Sequence, residues 1–560
     1  MIASSALVLL PLLAQPSTFA AETTYESPIR AVLEGESRAD VALWDLDRWR
    51  EPLEALYARQ SHAPLWFVDE RLTPAGRTLV RQLQDVERRG LLVTDYDGPK
   101  LAELTAGLDF RPNATAAAIA RLDVALSVNV ARLASDLHQG RVDPEEVGYD
   151  LDVRRPAFDA VQVVTTLATA PDVIAALDAL EPQFRHYSLL KIALAHHGLL
   201  AMQPRLTQLP PLPRSSVRAG EPYVGAPALR RLLTAIGDLP ESPVSGEQEK
   251  LELDPELVAA LVRFQARHGL DVDGTLGDRT YRALTTPIEE RIRQIVLSLE
   301  RLRWLPPKLE SPPIIVNIPQ FRLFAFRTTQ DFAEDILQMD VIVGSTFNGR
   351  HTPVFAADMR YVVLNPYWDV PRSILLKEML PAIKADPGWL AKNGYEMVLG
   401  AADGAISRPA DAGNVQLLVE GELRVRQKPG PMNALGQVKF MFPNRHNVYM
   451  HDTPARELFA RSRRAFSHGC IRVSDPITLL AHVLGADRKR TSDRLEKALR
   501  GNTPVVVRLA QPIRVYIVYG TALATEAGQT LFFDDIYDQD SRLTALLEAR
   551  RSRSFGHTKQ

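Results

Sequence analysis

The chain has 560 residues, 46% of them hydrophobic and 24% charged, and a formal net charge of −2. At ~100–200 residues per domain, this length predicts three or four domains of ordinary globular composition. The near balance of charge excludes a global field drawing the protein to nucleic acid or an anionic membrane, so binding must rest on local patches.

Residues 1–21 read as a secretory signal. An apolar core over 6–13 is followed by small residues ending Thr18-Phe19-Ala20-Ala21, and cleavage is expected after Ala20 or Ala21. No Lys or Arg precedes that core. The expectation is export to the periplasm, as a soluble protein or one held at the inner membrane by its uncleaved signal. No other run reaches the ~18–20 apolar residues that span a bilayer.

Residues 22–207 read as a helical scaffold. Leu53, Leu56 and Tyr57 share one helical face, Leu79, Leu83 and Val86 repeat the spacing, and Gly90 stops the second helix. Further helices are predicted over 118–137, 173–180 and 187–202, with Trp44, Trp49 and Trp66 packed among them. The pair His196-His197 has no further ligand at a useful spacing and reads as helix surface or core. Residues 208–222, rich in Pro, Ser and Gly, read as a linker.

A compact helical unit follows over 223–287. Leu257, Leu261 and Phe264 define one face, Gly269 suits a helix C-terminus, Asp273-Gly274 a tight turn, and Asp278 the cap of the next helix. The pattern Phe264-Gln265, Gly269-Leu270, Asp273-Gly274, Gly277 and Thr280 resembles a type-1 peptidoglycan-binding repeat. A connecting segment, 288–312, holds a charged amphipathic helix ending at Pro306-Pro307.

From residue 313 the hydrophobic period changes to that of strands, predicted at 314–318, 321–326, 339–343, 360–364, 415–418, 448–451, 503–508 and 514–519. Within this β-rich domain of 313–540, an insertion at about 372–432 reads as a lid, with helices over 373–380 and 381–390 and loops over 400–414. Residues 541–560 form a charged helical tail. The expected fold is multidomain α+β.

Cys470 is the only cysteine in 560 residues. An intramolecular disulfide is excluded, and an exported free thiol is a liability unless it performs chemistry. It lies in Ser467-His468-Gly469-Cys470-Ile471-Arg472-Val473, nineteen positions after His451. A cysteine nucleophile needs a base and donors for a tetrahedral oxyanion. His451, ending an apolar strand beside Asp452, is the preferred base; His468, its rival, is only two residues from Cys470 and reads better as shaping the oxyanion loop or contacting substrate. Gly469 lets its own N–H and that of Cys470 approach one point. Arg472 places positive charge near the thiolate or a substrate carboxylate, or else forms a structural ion pair.

His451 and the Ser467–Arg472 motif resemble the signature of L,D-transpeptidases with a YkuD-type catalytic domain. Val316-Asn317-Ile318-Pro319, Asn365-Pro366-Tyr367-Trp368-Asp369-Val370-Pro371, Arg426-Gln427-Lys428-Pro429-Gly430-Pro431 and Lys439-Phe440-Met441-Phe442-Pro443-Asn444 extend the resemblance to the large YcbB-like subgroup. That resemblance implies a Cys470 thioester with tetrapeptide stems, release of D-Ala, and transfer to a diaminopimelate amine to give 3→3 peptidoglycan cross-links. Water or a D-amino acid as acceptor would give carboxypeptidase or exchange activity. It implies no metal or organic cofactor and inhibition by carbapenems. Trp368 and Tyr449 are candidates to line the groove and Asn444 to give a polar contact, each with core or turn scaffold as its alternative, and Ser467 is a further candidate substrate contact. Other cell-wall enzymes are possible partners through the scaffold. The competing classes are a wall-cleaving cysteine peptidase and a non-catalytic wall-binding scaffold.

Overall fold

The computed structural model describes residues 25–556 apart from 36–44, 110–114, 152–156, 242–250, 310, 330–334, 348, 401–404 and 486–494. The expected signal segment, Trp44 and the last four residues lie outside the described residues.

Contacts divide the chain into two units. One gathers the described residues of Met1–Gln84 with Tyr96–Arg132 and Asp159–Val173. Its helix Leu46–Arg59 buries Trp49, Leu53, Leu56 and Tyr57, the face expected from their spacing. At its centre the Asp123 carboxylate is fully buried. It accepts hydrogen bonds from Tyr57 Oη (2.5 Å), Leu65 N (3.0 Å) and Trp66 N (2.7 Å). Those three donors offset the cost of burying an anion. Burial still raises the Asp123 carboxyl to about 6.

The second unit holds Asp85–Asp95, Leu133–Phe158 and everything from Ile174 onward. Stretches of the 22–207 segment therefore pack with the C-terminal domains. Asp150 lies beside Phe355 as a one-residue bridge and pairs with Arg445 (2.6 Å) and His446 (3.0 Å).

The peptidoglycan-binding-like unit is built on helices Ala226–Ala235, Pro255–Arg267 and Asp278–Thr285. Asp254 caps the second helix through Leu257 N (2.9 Å), and Gly269 follows its end with φ +64°. Asp278 is not a cap: it stands inside the first turn after Gly277 and pairs with Arg282 (2.9 Å). The 208–222 segment is also not a free linker. Val217 is buried and pairs with Leu276, while the Leu209 and Pro210 carbonyls accept from Tyr281 and Tyr223. Its apolar residues close the core of the unit, which outweighs its turn-rich composition.

The β-rich region from residue 313 is a nine-stranded sheet among the described residues. Its order is Ala465–Ser467, Leu337–Gly344, Ile471–Val473, Met450–His451, Val438–Met441, Phe355–Leu364, Val505–Val518, Ile314–Asn317 and Arg322–Ala325. Arg322–Ala325 also pairs with Leu337–Gly344, so the ladder closes on itself. The runs expected at 503–508 and 514–519 are one strand, with a register shift between Arg508 and Ile513 that accommodates Pro512.

The expected lid is a body of its own. Strands Ile406–Arg408, Tyr395–Leu399, Arg424–Gln427 and Trp368–Asp369 form a sheet over an apolar core that includes Leu375, Met379, Ile383, Leu418 and Val425. The strand predicted at 415–418 is instead helix Ala412–Glu420. Asp411 caps its start and Gly421, at φ +93°, ends it. Those two stop signals outweigh the local β-branched and apolar run. Asn433 Nδ2 donates to the carbonyls of Pro366 (2.9 Å) and Lys428 (3.0 Å), fastening both ends of the insertion together.

Candidate active site

Three strands bring the chemistry to one face. Met450–His451 runs parallel to Ile471–Val473 with His451 beside Arg472. It runs antiparallel to Val438–Met441 with Lys439 beside His451. Side chains opposite one another across a sheet share a face, and positions two apart return to it. Lys439, His451 and Arg472 therefore form a row, and Cys470 continues the Arg472 side. Ile471, between them, points the other way into the core.

The His451 ring is buried, and its Nδ1 lies 2.5 Å from the Asp452 carbonyl oxygen. An N–H at Nδ1 leaves the Nε2 lone pair as the free, basic position. Burial, with the Arg472 and Lys439 charges, lowers the imidazole to about 3. Burial pushes the Cys470 thiol up, opposed by hydrogen bonds at Tyr449 and by the charges of Lys439 and Arg472. The resting pair is therefore neutral thiol and neutral imidazole. Cys470 Sγ also lies 3.9 Å from the Asn447 carbonyl. Asp452 holds the neighbouring chain through Thr453 N (2.7 Å), Gln437 N (2.8 Å) and Arg456 (2.6 Å). Gly436, at φ +59°, leaves it room: a Cβ there would fall 2.3 Å from Asp452 Cγ.

His468 faces elsewhere. Its Nε2 is 2.7 Å from Glu378 Oε1 in the lid, and Arg350 meets the same oxygen at 2.7 Å. The hydrogen bond from His468 is the first cause of a lowered Glu378 carboxyl. Glu378 sits in a π-helical turn, Leu375–Met379, a widened turn frequent at functional sites.

The loop before Cys470 is locked from within. Ser467 Oγ donates to the Cys470 carbonyl (2.5 Å) and accepts from Gly469 N (3.1 Å). Ser467 is buried, so it is a loop tie and not the substrate contact expected of it. Because the Gly469 N–H is engaged, Cys470 N–H is left as the nearby donor for an oxyanion. Gly469 contributes its backbone, at φ +114°. Asn444 takes the turn-scaffold alternative. Its amide donates to Phe442 O and Val448 O (both 2.7 Å), and its oxygen accepts from His446 N (3.0 Å) and Val448 N (3.2 Å). It shapes a turn and has no polar position left for substrate.

Tyr449 lies beside Cys470 and Trp368, its phenol raised first by burial. Trp368 reaches it from the lid sheet. Arg472 makes no ion pair among the described residues, and its Nε is buried without a hydrogen bond. Glu457 acts on its charge without ion-pair contact, so the structural-pair alternative for Arg472 is not realised among the described residues.

Sequence reasoning gave no role to four residues. Lys439 holds its ammonium 3.9 Å over the Tyr449 ring; a Lys alternating with buried Val438 and Phe440 was its signal. Thr352 Oγ1 donates to Gly469 O (2.9 Å) and accepts from Gly344 N (2.8 Å). Tyr537 Oη donates to Gly344 O (2.5 Å). These two, like Glu378, are distant in sequence and carried no signal.

Residues 312–507 match the family described as L,D-transpeptidase catalytic domain, of the YkuD type. This stretch of the chain is therefore similar to L,D-transpeptidase catalytic domains. Residues 227–284 match the family described as "Putative peptidoglycan binding domain", and residues 51–194 a scaffold domain. A Haemophilus influenzae protein named "Putative L,D-transpeptidase" is 33% identical over 261 residues, 46% of this chain and 51% of that protein. The chain thus spans about half the length of that curated relative. The Cys470–His451 row and the lid both fall inside the L,D-transpeptidase match.

Proposed function

We propose that the protein is an exported cell-wall enzyme forming 3→3 peptidoglycan cross-links. The observation carrying this reading is the His451 imidazole, its Nδ1 held on the Asp452 carbonyl and its strand beside that of Cys470, within the segment that matches the L,D-transpeptidase catalytic domain. His451 Nε2 takes the thiol proton as Sγ bonds to the carbonyl carbon after the L-centre of diaminopimelate. Cys470 N–H supports the oxyanion, the C–N bond breaks, and His451 returns the proton to departing D-Ala. A diaminopimelate amine on a neighbouring stem then attacks the thioester. Its proton passes to His451 and on to the departing sulfur.

Arg472 and Lys439 give the groove a positive wall suited to the stem carboxylates. The lid, bearing Trp368, limits water as a competing acceptor. The peptidoglycan-binding domain raises the local concentration of polymer. Carbapenems are expected to acylate the same thiol.

The test is intact-protein mass after carbapenem treatment of the wild type and Cys470→Ala, followed by muropeptide analysis. One adduct on the wild type alone, with new 3→3 dimers, supports the proposal. Tripeptide products without dimers would make the enzyme a carboxypeptidase. A folded wild type with no adduct would favour a wall-binding scaffold.

A further inference from the structure

Away from the catalytic groove, helices Arg185–Ala201, Pro255–Arg267 and Ile288–Arg303 meet the hairpin of Ala522–Ala524 and Thr530–Phe532 around a cavity of about 40 Å³. That is about three times the ~10–15 Å³ needed by one water, so a group of a few heavy atoms fits. His197, His268 and Arg291 line it, with Phe532 as an apolar wall.

The charge of Arg291 is not answered by a carboxylate in ion-pair contact among the described residues. Its guanidinium bonds to Gln294 Oε1 (2.8 Å) and Ala283 O (2.7 Å), both neutral, and lies 4.7 Å over the Phe532 ring. Asp534 acts on it only from a distance. Arg267 differs, because Asp238 pairs with it at 2.6 Å. Both imidazoles direct Nδ1 to a backbone carbonyl, His197 to Ala193 (2.8 Å) and His268 to Phe264 (2.9 Å). Their Nε2 atoms have no hydrogen-bond partner among the described residues. Burial and then neighbouring charge, including that of Arg267 and Arg291, lower both rings. The exposed His196 adds a third imidazole at the rim. A guanidinium whose charge meets no carboxylate in contact repels a metal cation and attracts an oxyanion.

We propose that this cavity is a binding site for a small oxyanion, a carboxylate or phosphate, seated on Arg291 with His197 and His268 alongside. An anion there raises the proton affinity of both rings, so binding draws in protons. Affinity then rises as pH falls, by up to about tenfold per pH unit for each proton taken up. The charged and titratable groups facing the rings are His196 from their own side, Arg267 with its partner Asp238, and Arg291.

The test is a titration of the full chain with N-acetyl-D-alanine, and separately with inorganic phosphate, followed by the NMR signals of the histidine ring C–H groups. His197→Gln and His268→Gln assign those signals. The expected result is movement of the His197 and His268 signals, stronger near pH 6 than pH 8 with N-acetyl-D-alanine, and at least tenfold weaker binding in Arg291→Gln. A response to N-acetyl-D-alanine alone identifies a peptide carboxylate as the source; a response to phosphate alone identifies free phosphate or a phosphate ester. Wild-type signals unmoved by either anion, or binding unchanged in folded Arg291→Gln, overturn the proposal.

Discussion

At the residue scale, the resting site keeps both reactive groups uncharged. Burial raises the Cys470 thiol and holds the His451 imidazole near 3. Iodoacetamide should therefore alkylate the free enzyme slowly at neutral pH, with the rate rising toward alkaline pH. Lys439 is one of two cations favouring the thiolate. Lys439→Met should shift that alkylation profile further alkaline, and Lys439→Arg should restore it. An unchanged profile in Lys439→Met would remove Lys439 from thiol activation. Cys470 stood out because a lone cysteine has few structural uses, and His451 because it ends an apolar strand; the structure places both on one row with Arg472. The duties of Ser467 and Asn444 were not, because a polar side chain beside a nucleophile reads the same whether it meets substrate or its own backbone.

At the element scale, the lid is joined to the catalytic loop through Glu378, which holds His468 and Arg350. Glu378→Gln weakens two charge-assisted contacts. Faster amide hydrogen exchange over the lid is expected, with a higher ratio of hydrolysis to amine transfer. The barrel melting temperature should be nearly unchanged. Equal exchange in both proteins would show that the lid is held by its own core. In the peptidoglycan-binding domain, Asp254→Ala removes a helix cap and an ion pair with Arg230. Denaturant unfolding should show a loss of about 1 kcal/mol from the cap. The strand pattern of the catalytic domain was readable from its period-two runs. Helix Ala412–Glu420 was misread because the apolar Val415, Leu417 and Leu418 outweighed the Asp411 and Gly421 signals in that reading. The closing of the 208–222 segment onto its domain depends on Val217 meeting Leu276, a pairing that no local pattern announces.

At the scale of the whole molecule, several histidines are held neutral by burial, His186 and His197 near 4 and His451 near 3. The unfolded chain takes up these protons near pH 6.5, while the native state resists until about 4. Between those values the unfolded state binds more protons, so stability falls as pH falls. The loss is at most on the order of 1 kcal/mol per pH unit for each such group. Melting temperature should drop from pH 7 to pH 5, and His197→Gln should shrink that drop. A flat profile would mean the rings are already charged in the native state.

Tyr537 lies thirty residues beyond the end of the catalytic match at 507, yet its hydroxyl holds Gly344 and supports Thr352 beneath the Cys470 loop. A fragment cut where family similarity stops would keep every reacting atom and lose the support under the nucleophile. The smallest piece of this chain that holds the Cys470 loop in place is therefore larger than its recognisable domain, and the residues beyond that match belong to the site as much as its motif.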